Sequence, residues 1–197
     1  MQLTIEEARE FERKYSLLAT LELEKIFKYL YKNSTVSVSC NIGPDKEEIE
    51  KQLSIDATVS VSNIPNSTIQ LKGRSYEGLE YFREHQTIPI SIRKIFPNGK
   101  MYDGDYYKCN ASYYMYLFPN KGFTKLLYWV LFDWKKLSEI FKQARGWDHV
   151  PGVKYIPFDK DKSNILTHAI SVPIKLLEKK ECLIIDSDTM YSVNTQV

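Results

Sequence analysis

The sequence predicts an α/β or α+β domain, a mixed central β-sheet flanked by helices. Three observations carry this. The N-terminal stretch repeats its apolar residues at three- and four-residue spacing over 4–32. At least four later segments alternate apolar and polar residues with period two, as half-buried strands do. Helical and strand patterns also interleave along the chain, which favours helices packed on the faces of a sheet.

In the first helix the repeating residues are Ala8, Phe11, Tyr15, Leu18, Ile26, Tyr29 and Leu30, with Thr4 and Glu7 spaced as a capping box. Past Asn33 the run TVSVSCNI is a strand, stopped by Gly43-Pro44, and Asp45 can cap a short acidic helix reaching Leu53. SIDATVSVS at 54–62 and STIQLKGRS at 67–75 flank Asn63-Ile64-Pro65-Asn66, which is hairpin spacing. A helix is expected over Tyr76–Gln86, then a strand over 87–95 in which Pro89 marks an edge or a strand start. The polar, turn-rich PNGKMYDGDYY reads as an exposed loop. ASYYMYLFP and KLLYWVLFDW are the strongest strand signals, and Leu137, Ile140 and Phe141 share one face of a helix over Trp134–Ala144. KYIPF is a further strand, and HAISVPIKLLEK is a strand running into a helix. After Asp186 the tail shows no periodic face and is expected to fray.

A chain of 197 residues suits one domain, taken here as 1–197 with a core over about 5–145 and an embellishment and tail over 146–197. Its 43% hydrophobic and 26% charged residues are ordinary for a globular protein, so disorder and a coiled coil are not indicated. No run approaches the roughly 18 apolar residues of a membrane span, and the start is charged from its sixth residue, so a cytoplasmic protein without a membrane partner is expected. Cys40, Cys109 and Cys182 are odd in number and form no CxxC pair, which argues for reduced, packed thiols. His85, His149 and His168 are too scattered for a zinc site or a dyad, and no GxSxG or phosphate-binding glycine loop occurs. The net charge of +2 does not identify a nucleic-acid binder, because phosphate binding depends on local clustering.

The residues that suggest chemistry lie on the hairpin. Asp56 is on its first strand, and Gln70 and Lys72 share a face of the second, opposite Ile69 and Leu71. A carboxylate beside a carbonyl donor and an ammonium can hold a hard cation such as Mg²⁺ and orient or deprotonate a water. Asp56 followed, after thirteen residues, by Gln70-Leu71-Lys72 resembles the active-site signature of the PD-(D/E)XK, or restriction-endonuclease-like, nucleases. It is similar to the subset in which Gln replaces the second acidic residue, found among small domains of prokaryotic genome defence. The resemblance spans about residues 5–95, and the order helix, strand, Asp strand, QxK strand, helix, strand agrees with it. It departs in Ile55, which stands where the family has proline. A literal Pro44-Asp45 lacks the strand context, and Asp45 is better read as a helix cap.

The resemblance implies a restriction-endonuclease-like core and a metal-dependent DNA endonuclease. Asp56, Gln70, Lys72 and a first-helix glutamate would be catalytic, with Mg²⁺ or Mn²⁺ held by Asp56, that glutamate, Gln70 and the Leu71 carbonyl. Gln70 would be a neutral ligand or orient the water. At 100° per residue Glu22 falls inside the apolar stripe between Tyr29 and Phe11 on one side and Ala8 and Ile26 on the other, whereas Glu24 points away. A carboxylate on that stripe needs compensation, so Glu22 is the expected ligand and Glu12 the reserve. Arg74, Arg93 and Lys94 are expected phosphate contacts. Tyr113, Tyr114 and Tyr116 can stack on bases or pack as core. DNA or RNA is the expected partner, with a homodimer or a larger defence complex as assemblies. Lys72→Ala is expected to leave the melting temperature nearly unchanged. The alternatives are a non-catalytic restriction-like domain that binds nucleic acid or a protein, and an unrelated α/β interaction module.

Overall fold

The structure, a computed structural model, describes residues 5–40, 56–74, 76–157 and 166–192. The short helix expected from Asp45, and Asp45 itself, lie outside them.

Helix α1 (Ile5–Leu30) buries Ala19, Leu23, Ile26 and Phe27, spaced by three or four residues, so a single stripe meets the sheet. Strands β1 (Val36–Cys40), β2 (Ala57–Val61) and β3 (Ile64–Gly73) form an antiparallel meander. In β2 the residues Ala57, Val59 and Val61 point inward and Thr58 and Ser60 outward, as the alternation requires. The β2–β3 turn is tighter than expected. Asn63 takes φ 65°, which asparagine tolerates, and Ile64-Pro65-Asn66 already belong to β3.

Helix α2 (Tyr76–His85) is followed by β4 (Thr87–Ile95), β5 (Met101–Asp103) and the short α3 (Asp105–Lys108). The chain then enters β6 (Tyr113–Pro119), which pairs in parallel with β3. Strand β7 (Leu126–Asp133) returns antiparallel and leads into α4 (Trp134–Gln143), whose first turn is capped by the Asp133 carboxylate accepting from the Lys136 amide at 2.8 Å. The remainder is β8 (Lys154–Pro157), β9 (Leu166–Pro173), α5 (Ile174–Lys179), β10 (Leu183–Asp186) and α6 (Ser187–Ser192).

Among the described residues these strands make two sheets where one was expected. The first is mixed and six-stranded, in the order β1-β2-β3-β6-β7-β10; the second is antiparallel, in the order β5-β4-β9-β8. Strand β4 therefore belongs to the second sheet, and the parallel neighbour of β3 is β6. One apolar core lies between the sheets, where Ile88, Ile90, Ile170 and Val172 meet Tyr114, Tyr116, Phe118, Val130 and Phe132. The other lies under α1, against Ile69, Leu71, Met115, Leu117, Trp129 and Leu131. Pro89 sits where β4 pairs only with β9, so its missing N–H costs no ladder bond.

Two further expectations are corrected. PNGKMYDGDYY is only partly an exposed loop: β5 is exposed, but Asp105 is 2% exposed and Tyr106 packs against the inter-sheet core. The tail does not fray at Asp186, because α6 buries Ser187 and Met190 against the first sheet. Among the described residues no disulfide links Cys40, Cys109 and Cys182. Among the described residues no helix is long and apolar enough to cross a membrane.

Candidate functional site

Gln70 and Lys72 in the C-terminal half of β3, and Arg74 just past its end, share the face toward the core between the sheets, while Ile69 and Leu71 face α1. Gly73 has the α1-side parity, and a Cβ there would collide with the Tyr15 ring. The backbone and the first helix thus approach closely at the end of the strand.

Asp56 immediately precedes β2 and is 9% exposed. Its backbone amide donates to the Ile69 carbonyl at 2.9 Å, and its Oδ2 accepts from the Leu71 amide at 2.8 Å. This ties the carboxylate to the middle of the QxK segment. The Gln70 side chain is buried. Its Nε2 donates to the Leu71 carbonyl at 3.4 Å, and its Oε1 has no donor among the described residues. Reversing the amide would set two acceptors against each other, so the orphaned atom is the carbonyl oxygen.

Lys72 does not stand alone. Its ammonium lies 3.1 Å from Oδ2 of Asp105, which also accepts from the Tyr114 hydroxyl at 2.9 Å and the Ser91 hydroxyl at 3.1 Å. The Asp105 amide donates back to Ser91 Oγ at 2.9 Å. Burial alone would raise the Asp105 carboxyl, but Lys72 and the Tyr114 hydroxyl overcome it and hold it at about 2. Burial likewise pulls the Lys72 ammonium down, and Asp105 and then Tyr116 reverse that, leaving its pKa raised. Lys72 is therefore cationic at neutral pH, with its side chain still 26% exposed.

Around this pair, Lys94 on β4 is pulled down, first by the Lys72 charge and then by burial. The Arg74 guanidinium donates to the Tyr116 hydroxyl at 3.0 Å and lies 5.4 Å from the centre of that ring. Burial pushes the Cys109 thiol up to about 12, opposed first by a hydrogen bond with the Ala111 backbone, with Asp105 and Asp56 adding to the rise and Lys72 opposing it. Burial and then Asp56 raise Tyr15, which places α1 at the rim of the group.

The structure thus brings together Asp56, Gln70, Leu71, Lys72, Arg74 and Lys94. It does not bring in Glu22. That carboxylate is buried on the α1 side, where Oε1 accepts from Trp129 Nε1 at 3.0 Å and from the Tyr191 hydroxyl, and Oε2 lies 3.2 Å from Lys25. Trp129 is on β7, three strand spacings from β2, or roughly 14 Å between strand axes. The inward stripe that singled out Glu22 is real, but its compensation comes from two hydrogen-bond donors and a lysine. The Glu12 side chain lies outside the described residues. Arg93 is exposed on β4, paired in register with Asp103 and His168. Tyr114 and Tyr116 are fully buried, so they are core. Among the described residues no three His, Cys, Asp or Glu side chains gather as a metal cluster.

Asp105 is the residue that sequence reading missed. Its surroundings are polar enough to read as a loop, yet three tyrosines, at 102, 106 and 107, crowd a segment that a solvated loop has little reason to fill with aromatics. Gly104 is a second signal, since a Cβ there would run into the backbone of Ser91. Compared with known proteins, the chain matches no family model, no curated protein and no solved structure.

Proposed function

We propose that this chain is a metal-dependent phosphodiesterase of PD-(D/E)XK type that cleaves DNA in the cytoplasm, with prokaryotic genome defence as its setting. The observation that carries the reading is the buried Gln70 Oε1, which has no donor among the described residues, adjacent along the strand to the Leu71 amide that holds Asp56 and two residues from cationic Lys72. A neutral carbonyl oxygen beside a carboxylate suits a hard cation. The order α1, β1, β2, β3, α2 agrees with the resemblance, but the strand expected next, β4, lies in the second sheet, and the strand parallel to β3 is β6. The ends of parallel strands are common ligand positions.

Mg²⁺ or Mn²⁺ would be held by the Asp56 carboxylate and Gln70 Oε1; the Leu71 carbonyl is already shared with Gln70 Nε2. When bound, the ion supplies Lewis-acid charge at a phosphoryl oxygen and acidifies a coordinated water. One carboxylate gives such a site low affinity, which the substrate phosphate would raise. In hydrolysis a water oxygen would bond to phosphorus and release a proton to solvent, the bond to the leaving sugar oxygen would break, and that oxygen would take up a proton from solvent. Lys72 stays an ammonium beside Asp105, so its part is to hydrogen-bond the phosphoryl oxygen on which charge builds, not to remove a proton. Arg74 and Lys94 supply positive charge for the flanking phosphates.

Thermal melting with Mn²⁺ tests the site. Wild type and Glu22→Gln should both gain stability from an ion that binds only the folded state, and Asp56→Asn should gain none. A full shift in Asp56→Asn would place the ion elsewhere. A non-catalytic, nucleic-acid-binding domain is the second reading, favoured by the single carboxylate of the donor set. It requires DNA binding that neither Mn²⁺ nor Asp56→Asn alters.

A further inference from the structure

Next to the Lys72 pair, on the same face of β3, lies a cavity of about 170 Å³ of which the reaction above uses only the positive charge of Arg74. Phe82, Pro89, Tyr116 and Phe118 form its walls and Tyr81 its mouth, with Arg74 at one side. The walls are rigid: Phe82 packs on Phe118 at 5.2 Å between ring centres, and the Tyr116 hydroxyl donates to the Pro89 carbonyl. Tyr81 is 46% exposed and stacks on His85 at 4.0 Å, so one face of the mouth is open to solvent.

Arg74 distinguishes this cavity from a packing defect. One of its terminal nitrogens donates to Tyr116, but its buried Nε–H has no acceptor among the described residues. A buried donor without a partner is costly, and a ligand carrying an acceptor would relieve it. The Thr87 hydroxyl is a second polar group on the lining.

We propose that this cavity is a nucleobase subsite, receiving the base of a nucleotide next to the scissile phosphate. Aromatic walls suit a planar ring, and the ring nitrogens and carbonyls of a base supply the acceptor that Arg74 lacks. A phenylalanine or tryptophan side chain would fill the same space and leave the Nε–H unsatisfied, and a bare phosphate would gain nothing from the apolar walls. Arg74 is two residues beyond Lys72 on the same face, so a nucleotide with its base here has its phosphate near the ammonium. The placement of that phosphate rests on the phosphodiesterase reading; the affinity for a base does not.

The experiment is a binding titration of the full chain in EDTA with 2-aminopurine deoxyribonucleoside 5′-monophosphate, whose fluorescence falls when it stacks on aromatic rings. Wild type should quench it saturably, and thymidine monophosphate should compete while deoxyribose 5-phosphate should not. Tyr81→Ala, at an exposed position where folding is safe, and Arg74→Gln should each weaken binding about tenfold. Absence of saturable quenching, equal competition by deoxyribose 5-phosphate, or wild-type binding by both variants would overturn the proposal. DNA cleavage without nucleotide binding sinks the subsite and spares the phosphodiesterase; nucleotide binding without cleavage does the reverse.

Discussion

Lys72 and Asp105 are better understood as a pair than as separate residues. The expectation that Lys72→Ala is silent in stability treated the lysine as surface-directed, whereas its ammonium is the nearest cation to a carboxylate that is 2% exposed. Removing it strands a buried charge that keeps only the Tyr114 and Ser91 hydroxyls, so Lys72→Ala should cost about 1–3 kcal/mol. Lys72→Met with Asp105→Asn should recover much of that loss, and urea unfolding of the single and double variants measures the coupling. Additive effects would show the pair to be uncoupled. The same pair sets the acid behaviour. Asp105 titrates at about 2 against an ordinary 3.8, so it binds its proton less readily folded than unfolded. Its contribution is present above about pH 4 and is lost as the pH falls through about 2, on the order of 2 kcal/mol. Asp105→Asn should be less stable than wild type at neutral pH and flatter across pH 4 to 2; an identical slope in both proteins would contradict the assignment. Period two on β3 made the shared face of Gln70 and Lys72 readable from sequence, but Asp105 lies 33 positions away, and nothing local announces its partner.

At the scale of elements, the two glycines at closest approach govern how the site is assembled. Gly104 has an ordinary extended φ, so its role is room and not conformational freedom: its amide donates to the Ile92 carbonyl at 3.0 Å with no space for a side chain. Gly104→Ala should push α3 off β4 and withdraw Asp105 from Lys72, costing about 1–3 kcal/mol and lowering cleavage. A crystal structure of that variant with the Lys72–Asp105 contact intact would contradict this role. The long, strongly periodic elements were legible: α1, the β1–β3 meander, β6, β7 and α4 fall within a few residues of their expected bounds. What escaped were short elements that depend on partners. Strand β10 is four residues paired, among the described residues, only to β7, and α6 is six residues anchored by Met190 and by the Tyr191 hydroxyl on Glu22, too brief to show a period. Glu22 was misjudged for the same reason, since the donors that satisfy it lie 107 and 169 positions away.

For the whole molecule, the second sheet is the feature that sequence pattern could not supply. Alternation identifies strands but not which strands pair, β4 and β9 carry no sign of a separate sheet, and β5 is too short to show a period at all. Their sheet closes over the face of β3 that bears Gln70, Lys72 and Arg74, and so brings Ser91, Lys94 and Asp105 to it. The fold class therefore followed from the order of patterns, while the composition of the site followed from a packing of two sheets that only the tertiary structure contains. Cleavage of supercoiled plasmid in Mn²⁺, by wild type and Asp56→Asn purified in parallel and matched in circular dichroism, tests the phosphodiesterase most directly. Wild type should nick or linearise the plasmid and lose this in EDTA, while Asp56→Asn should leave it intact; no cleavage by wild type in Mn²⁺ or Mg²⁺, or equal cleavage by both proteins, would contradict it.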